Sequence, residues 1–97
     1  MSESNSAEPN RMIRVLLVED HALTRLGLKA AFSHSGDIVV IGGAVNGEDA
    51  VEMAARLNPD VIVMDVGMPI MDGIHAAREI VALNPEVKIV MLTQHDF

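Results

Sequence analysis

Val61-Ile62-Val63-Met64-Asp65, followed by Val66-Gly67-Met68-Pro69-Ile70-Met71-Asp72-Gly73, is the stretch from which the fold is read. Four consecutive apolar residues rich in β-branching predict a strand buried on both faces, the pattern of a central parallel strand. The strand stops on a carboxylate. A loop with Gly and Pro follows, and Asp72 stands where the N-cap of a helix is expected. An acid at the carboxyl end of a central strand lies on the edge where open α/β sheets place their ligands. Asp65 is therefore read as a chemical group rather than a solvated loop residue.

Working outward, Ile13 to Val18 predicts a first strand that also ends on acid, Glu19-Asp20. From His21 to about Ser35, Leu23, Leu26 and Ala30 recur at helical spacing, with Gly36 as the expected C-cap. Asp37 to Ala44 is a second strand. Asn46-Gly47-Glu48-Asp49 reads as an N-cap with acids in the first turn, which suits the helix dipole. Ala50, Val51, Ala54 and Leu57 form the apolar face of that helix, and Asn58-Pro59-Asp60 ends it. Beyond the central strand, Asp72 to Leu83 predicts a third helix that buries Ile74, Ala77 and Val81. Asn84-Pro85-Glu86 ends it, and Lys88 to Thr93 is a fourth strand. Strict alternation with short loops implies an α/β parallel sheet with right-handed crossovers and helices on both faces. Met1 to Asn10 is polar and aperiodic and reads as a disordered tail, which places the domain at 12–97.

Composition narrows the function. The 97 residues carry a net charge of −7 and no Cys, and their only aromatics are two Phe. One small domain is allowed, burying between about 60% and 70% of its unfolded surface. Its core must come from Val, Ile, Leu, Ala and Met, and the seven Met are read as filler. Disulfides and thiolate metal sites are excluded. The negative field opposes nucleic acid. No apolar run approaches the roughly 20 residues of a membrane span, so the expected location is cytoplasmic.

In a parallel sheet the carboxyl ends of the strands share one edge, so Glu19, Asp20, Asp65 and the hydroxyl of Thr93 are expected to converge. Crowded carboxylates repel in a partly dry site and persist by holding a hard cation such as Mg²⁺. His21, His34, His75 and His95 show no i, i+4 pairing and are not read as a transition-metal site, although His21 adjoins the acid pair. Gly42-Gly43 lacks the spacing of a nucleotide loop.

Asp20, Asp65 with Met68-Pro69 and Asp72-Gly73 behind it, and Thr93 resemble the receiver domain of two-component response regulators, a flavodoxin-like doubly wound fold. The stretch from Val18 to Leu28, with Asn84-Pro85 and Leu92 to Asp96, looks like the NarL/FixJ branch. The resemblance implies strand order 2-1-3-4 for the part in hand. It implies Asp65 as phosphoacceptor from a sensor histidine kinase, and Asp20 and Asp65 as direct Mg²⁺ ligands. Glu19 would act through water, the Gly67 carbonyl would complete the protein ligands, and Thr93 would bind a phosphoryl oxygen. It also implies a transcriptional regulator that meets DNA only through an output domain not in this sequence.

The family's Lys and aromatic switch residue, on a fifth strand, have no counterpart before Phe97; Lys88 begins the fourth strand and Lys29 lies mid-helix. The reading is therefore of a receiver lacking its last strand and helix. The exposed edge of the fourth strand is then expected to pair with another chain. The alternative is a receiver-like interaction or dimerisation module that is not phosphorylated. A hydrolase with an aspartyl-phosphate intermediate would want a second carboxylate two residues after Asp65, where Gly67 stands.

Overall fold

The computed structural model describes residues 11–65 and 70–92. The expected tail at 1–10 lies outside them, as does the stretch from Thr93 to Phe97. The described elements alternate as expected: β1 (Ile13–Val18), α1 (Ala22–Ser33), β2 (Ile38–Ala44), α2 (Gly47–Leu57), β3 (Val61–Asp65), α3 (Ile70–Leu83) and β4 (Lys88–Leu92). All pairings are parallel, and the strand order is β2-β1-β3-β4.

The two inner strands are buried because both of their faces are covered. Leu16, Val18, Ile62 and Met64 point to one side, where α2 and α3 bring Ala50, Ala76 and Ile80. Val15, Leu17 and Val63 point to the other, where α1 supplies Leu28 and Phe32. Burying a Val, Leu or Ile side chain stabilises by about 1.5–3 kcal/mol, so β1 and β3 carry much of the driving force for folding.

β2 changes face partway along. Val15 pairs with Val40 and Leu16 with Gly42, so Ile41 is an extra residue opposite β1. Ile38 and Val40 consequently pack on the α1 side, while Ala44 lies on the α2 side. A strict two-residue alternation would have kept all three together.

Several boundaries and faces differ from expectation. α1 ends at Ser33 with His34 as its C-cap; Gly36, at φ +83°, serves the turn beyond. Leu23 and Leu26 face water, and Leu28 and Phe32 make the sheet contact instead. α3 begins at Ile70, so Asp72 lies in its first turn and not at its N-cap. Among its described side chains Gly73, Ala76 and Ile80 are buried, whereas Ile74 and Val81 are exposed. Small residues allow close approach: a Cβ on Gly73 would stand 3.3 Å from the Met64 sulfur.

The two ends of α2 follow from local chemistry. Asn46 caps α2 as expected, its side-chain oxygen accepting from the Asp49 amide at 2.7 Å. Asn58 closes α2 in the left-handed conformation at φ 52°, which Asn tolerates better than most residues. Arg14 donates to the Leu57 and Asn58 carbonyls at 2.7 and 2.6 Å, tying that end to β1.

Candidate functional site

The sheet brings β1 and β3 side by side, Val18 against Met64, so the residues that follow each strand meet. Glu19, Asp20, His21 and Asp65 offer ligand atoms that all lie within 4.8 Å of one another. The convergence expected of Glu19, Asp20 and Asp65 is therefore present. Gly67 and Thr93, expected to complete the site, lie outside the described residues.

The four groups differ in exposure, and that decides what each can do. Asp65 is 2% exposed and Glu19 is fully buried, whereas Asp20 and His21 face solvent. Neither carboxylate oxygen of Asp65 has a hydrogen-bond partner among the described residues. A buried carboxylate without a partner is costly unless it is protonated or meets a cation.

Glu19 is held in place at several atoms. Its amide donates to the Ala44 carbonyl at 3.0 Å, and its own carbonyl accepts from Arg25 Nη1 at 2.7 Å. Its carboxylate accepts from the His21 amide at 2.9 Å, and the His21 ring nitrogen Nδ1 lies 3.1 Å from the same oxygen. Burial first, and the Asp65 carboxyl next, push Glu19 above the usual carboxylate range; the His21 amide and ring oppose them. His21 is shifted upward from 6.5, chiefly by its contact with Glu19 and then by the charge of Asp20, whose Oδ1 lies 3.1 Å from Nδ1.

From the sequence, His21 opens the helical stretch and adjoins the acid pair. The structure places it at the N-cap of α1, exposed yet bridging both acids of the pair. Arg25 was missed altogether. The usable signal was position: a cation one turn into a helix that opens just after two acids can fold back over them. Gly43 permits this, since a Cβ there would stand 2.9 Å from Arg25 Cδ.

The donor set fits a hard dication. Three carboxylates in a partly dry edge, one of them buried and without a hydrogen-bond partner among the described residues, match an oxygen-ligated ion such as Mg²⁺. Lys88, paired with Val61 at the start of β4, stands at the opposite end of the sheet from Asp65, which pairs with Leu92. It takes no part in the site.

A parallel sheet in this order, with a buried acid ending its central strand, is the flavodoxin-like class. The chain belongs to the response regulator receiver domain family, whose model matches residues 15–97. It is 48% identical over 82 residues to the transcriptional regulatory protein LiaR of Bacillus subtilis, covering 84% of this chain and 39% of that protein. The receiver domain of the putative response regulator NarL from Mycobacterium tuberculosis superposes with a TM-score of 0.78 at 33% identity, covering 90% of this chain and 70% of that one. A structure of the CheA3 P1 domain in complex with CheY6 from R. sphaeroides matches at TM-score 0.73 and 33% identity, covering 89% and 67%. Protein-glutamate methylesterases are also among the curated relatives. The chain spans between 18% and 40% of the length of the curated relatives it matches. A receiver domain is a regulatory switch, and this is the expectation drawn from Asp65 and its neighbours.

Proposed function

We propose that this chain accepts a phosphoryl group on Asp65 from a phosphohistidine of a sensor histidine kinase. The observation that carries the reading is the Asp65 carboxylate itself: buried, without a hydrogen-bond partner among the described residues, and beside two further acids. A carboxylate oxygen of Asp65 attacks phosphorus, the bond from phosphorus to the kinase imidazole breaks, and an acyl phosphate is left on the protein. Phosphoryl transfer asks chiefly for positioning and charge neutralisation. The site's own residues supply the positioning: β3 fixes Asp65, and Arg25 and the His21 amide fix Glu19.

Glu19, Asp20, Asp65 and the Gly67 carbonyl would hold Mg²⁺, which would offset the roughly −1.5 to −2 charges of the product. Thr93 would bind a phosphoryl oxygen. The likeness to NarL and LiaR supports a transcriptional regulator whose DNA contact lies in an output domain, and the CheY6 complex supports a kinase phosphotransfer domain as partner. A reducing cell interior suits a chain without Cys.

Incubation with acetyl phosphate and Mg²⁺ tests the reading. The mass should rise by one phosphoryl group in the wild type and not in Asp65→Asn. No gain in the wild type overturns it.

A second reading, self-association, has its own observation. Val90 and Met91 on β4 are 45% and 44% exposed, and no strand among the described residues pairs with the outer edge of β4. Such an edge offers hydrogen bonds and apolar contact to another copy.

A further inference from the structure

Asn46-Gly47 is the one Asn-Gly pair in the sequence, and the phosphoacceptor reading makes no use of it. Five asparagines occur in the chain. Asn58 and Asn84 precede Pro59 and Pro85, whose nitrogens carry no hydrogen. Asn5 and Asn10 precede Ser6 and Arg11, whose side chains crowd the backbone. Only after Asn46 does the next amide nitrogen belong to a residue with no Cβ in the way. Such a nitrogen can close on the side-chain carbonyl carbon and expel ammonia, a reaction that makes Asn thermally labile.

The structure holds the two reacting groups in opposite states. Asn46 is exposed, and its Oδ1 accepts from the Asp49 amide at 2.7 Å. A donor there stabilises the negative charge that gathers on that oxygen under attack. The nucleophile is restrained instead. The Gly47 amide donates to Asp72 Oδ2 at 3.2 Å, and Gly47 is buried, with the Asp72 main-chain oxygen 2.9 Å from where a Cβ would stand. A carboxylate acceptor disfavours loss of the amide proton and keeps the nitrogen from turning toward Asn46 Cγ. Gly47 and Asp72 also line an open cleft of about 540 Å³ between α2 and α3, so water is at hand once that hydrogen bond opens.

We propose that Asn46-Gly47 is a self-modifying site that deamidates to aspartate and isoaspartate, with Asp72 as the latch that keeps it closed while α2 and α3 are in contact. When the latch opens, a solvent base takes the Gly47 amide proton and the nitrogen bonds to Asn46 Cγ. The bond from Cγ to the side-chain nitrogen breaks, and ammonia leaves. Water then opens the cyclic imide at either carbonyl. Opening at the side-chain carbonyl leaves aspartate, which still caps α2. Opening at the main-chain carbonyl leaves isoaspartate, which sends the backbone through the former side chain and removes the cap. The change falls two residues past Ala44, whose carbonyl accepts the Glu19 amide, so isoaspartate loosens one anchor of the acidic pocket. The inference stands apart from the phosphoacceptor reading and does not need it.

The test is incubation of the 97-residue chain in mildly alkaline buffer, folded and in denaturant, with peptide mapping by mass spectrometry and isoaspartate counted by enzymatic methylation. In denaturant, Asn46 should lose its amide at least about tenfold faster than Asn58 or Asn84. Folding should slow the reaction by about tenfold or more, and Asp72→Ala should recover at least about threefold of the rate in the folded chain. Asp72→Asn, which keeps an acceptor, should stay near the wild type. Val63→Ala lowers stability from the core on the α1 side of the sheet, away from the pair, and should leave the rate unchanged. No reaction at Asn46 in denaturant overturns the site. Equal rates in folded wild type and Asp72→Ala overturn the latch, and so does equal acceleration in Asp72→Ala and Val63→Ala, which would assign the protection to global folding.

Discussion

Arg25 lies across Gly43: its Cδ occupies space that a Cβ on that glycine would approach to 2.9 Å, and its Nη1 reaches the Glu19 carbonyl at 2.7 Å. The path of one α1 side chain over the end of β2 thereby sets the position of a buried acid in the site. Gly43→Ala should displace Arg25 and destabilise the domain by about 0.5–1.5 kcal/mol, the worth of a typical hydrogen bond, with weaker Mg²⁺ binding. Arg25→Ala should do much the same. The double variant should cost little more than either alone, and additive losses in chemical denaturation would refute the shared mechanism.

Asp65→Asn removes one of two buried carboxyl groups at close quarters. Thermal unfolding in the presence of a chelator should show the variant more stable by about 1 kcal/mol, or roughly 4–8 °C in a domain of this size. Added Mg²⁺ should raise the midpoint of the wild type and leave that of the variant unchanged. A wild type insensitive to Mg²⁺ would contradict the site.

Proton linkage gives a prediction of definite sign. His21 is raised above 6.5 in the folded protein by Glu19 and Asp20, so the native state holds its proton more tightly than the unfolded chain does. Its contribution to stability is fully present below 6.5 and is lost as pH rises through the raised value. In metal-free buffer, the wild type should therefore exceed His21→Ala in unfolding midpoint at pH 6, and the gap should narrow by pH 8.5. Glu19, also raised, acts in the same direction from 4.5 upward, and bound Mg²⁺ should oppose it.

Gly47 and Asp72 pose a separate test. The Gly47 amide donates to Asp72 Oδ2 at 3.2 Å, and a Cβ on Gly47 would stand 2.9 Å from the Asp72 backbone oxygen. Gly47→Ala should destabilise by about 1–3 kcal/mol through overpacking between α2 and α3. Asp72→Ala should not rescue it, because the closest obstacle is main chain. Rescue would show that the side chain alone fills the gap.

Self-association through β4 predicts an apparent mass in sedimentation that rises with protein concentration. Val90→Lys should return it toward the monomer with little change in stability, since Val90 is half exposed. A monomer at every concentration would exclude this edge as an interface.

What the sequence made legible was governed by local rules. The run of apolar residues before Asp65, the cap at Asn46 and the break at Asn58-Pro59 each rest on a few adjacent residues, and the structure places all three where they were expected. The convergence of Glu19, Asp20 and Asp65 needed only parallel topology. Helix faces were harder to read. α3 is apolar around much of its circumference, so Ile74 and Val81 were as plausible a core face as Ala76 and Ile80. The choice falls to close packing, which favours the smaller residues at Gly73 and Ala76 against Met64. The ring of His21 and the reach of Arg25 depend on which way a side chain lies across a neighbouring strand, information no single element contains.

The extra residue at Ile41 gives the outer strand two allegiances. Up to Val40 its inward side chains serve α1; after the offset, Gly42 yields room to Met53 and Leu57 of α2, while Gly43 opens toward Arg25. Deleting a single residue there would invert the whole tip, turning the track beneath the arginine inward and the seat of Met53 outward. Strand length, more than the identity of any residue in it, is therefore what the acidic pocket inherits from β2.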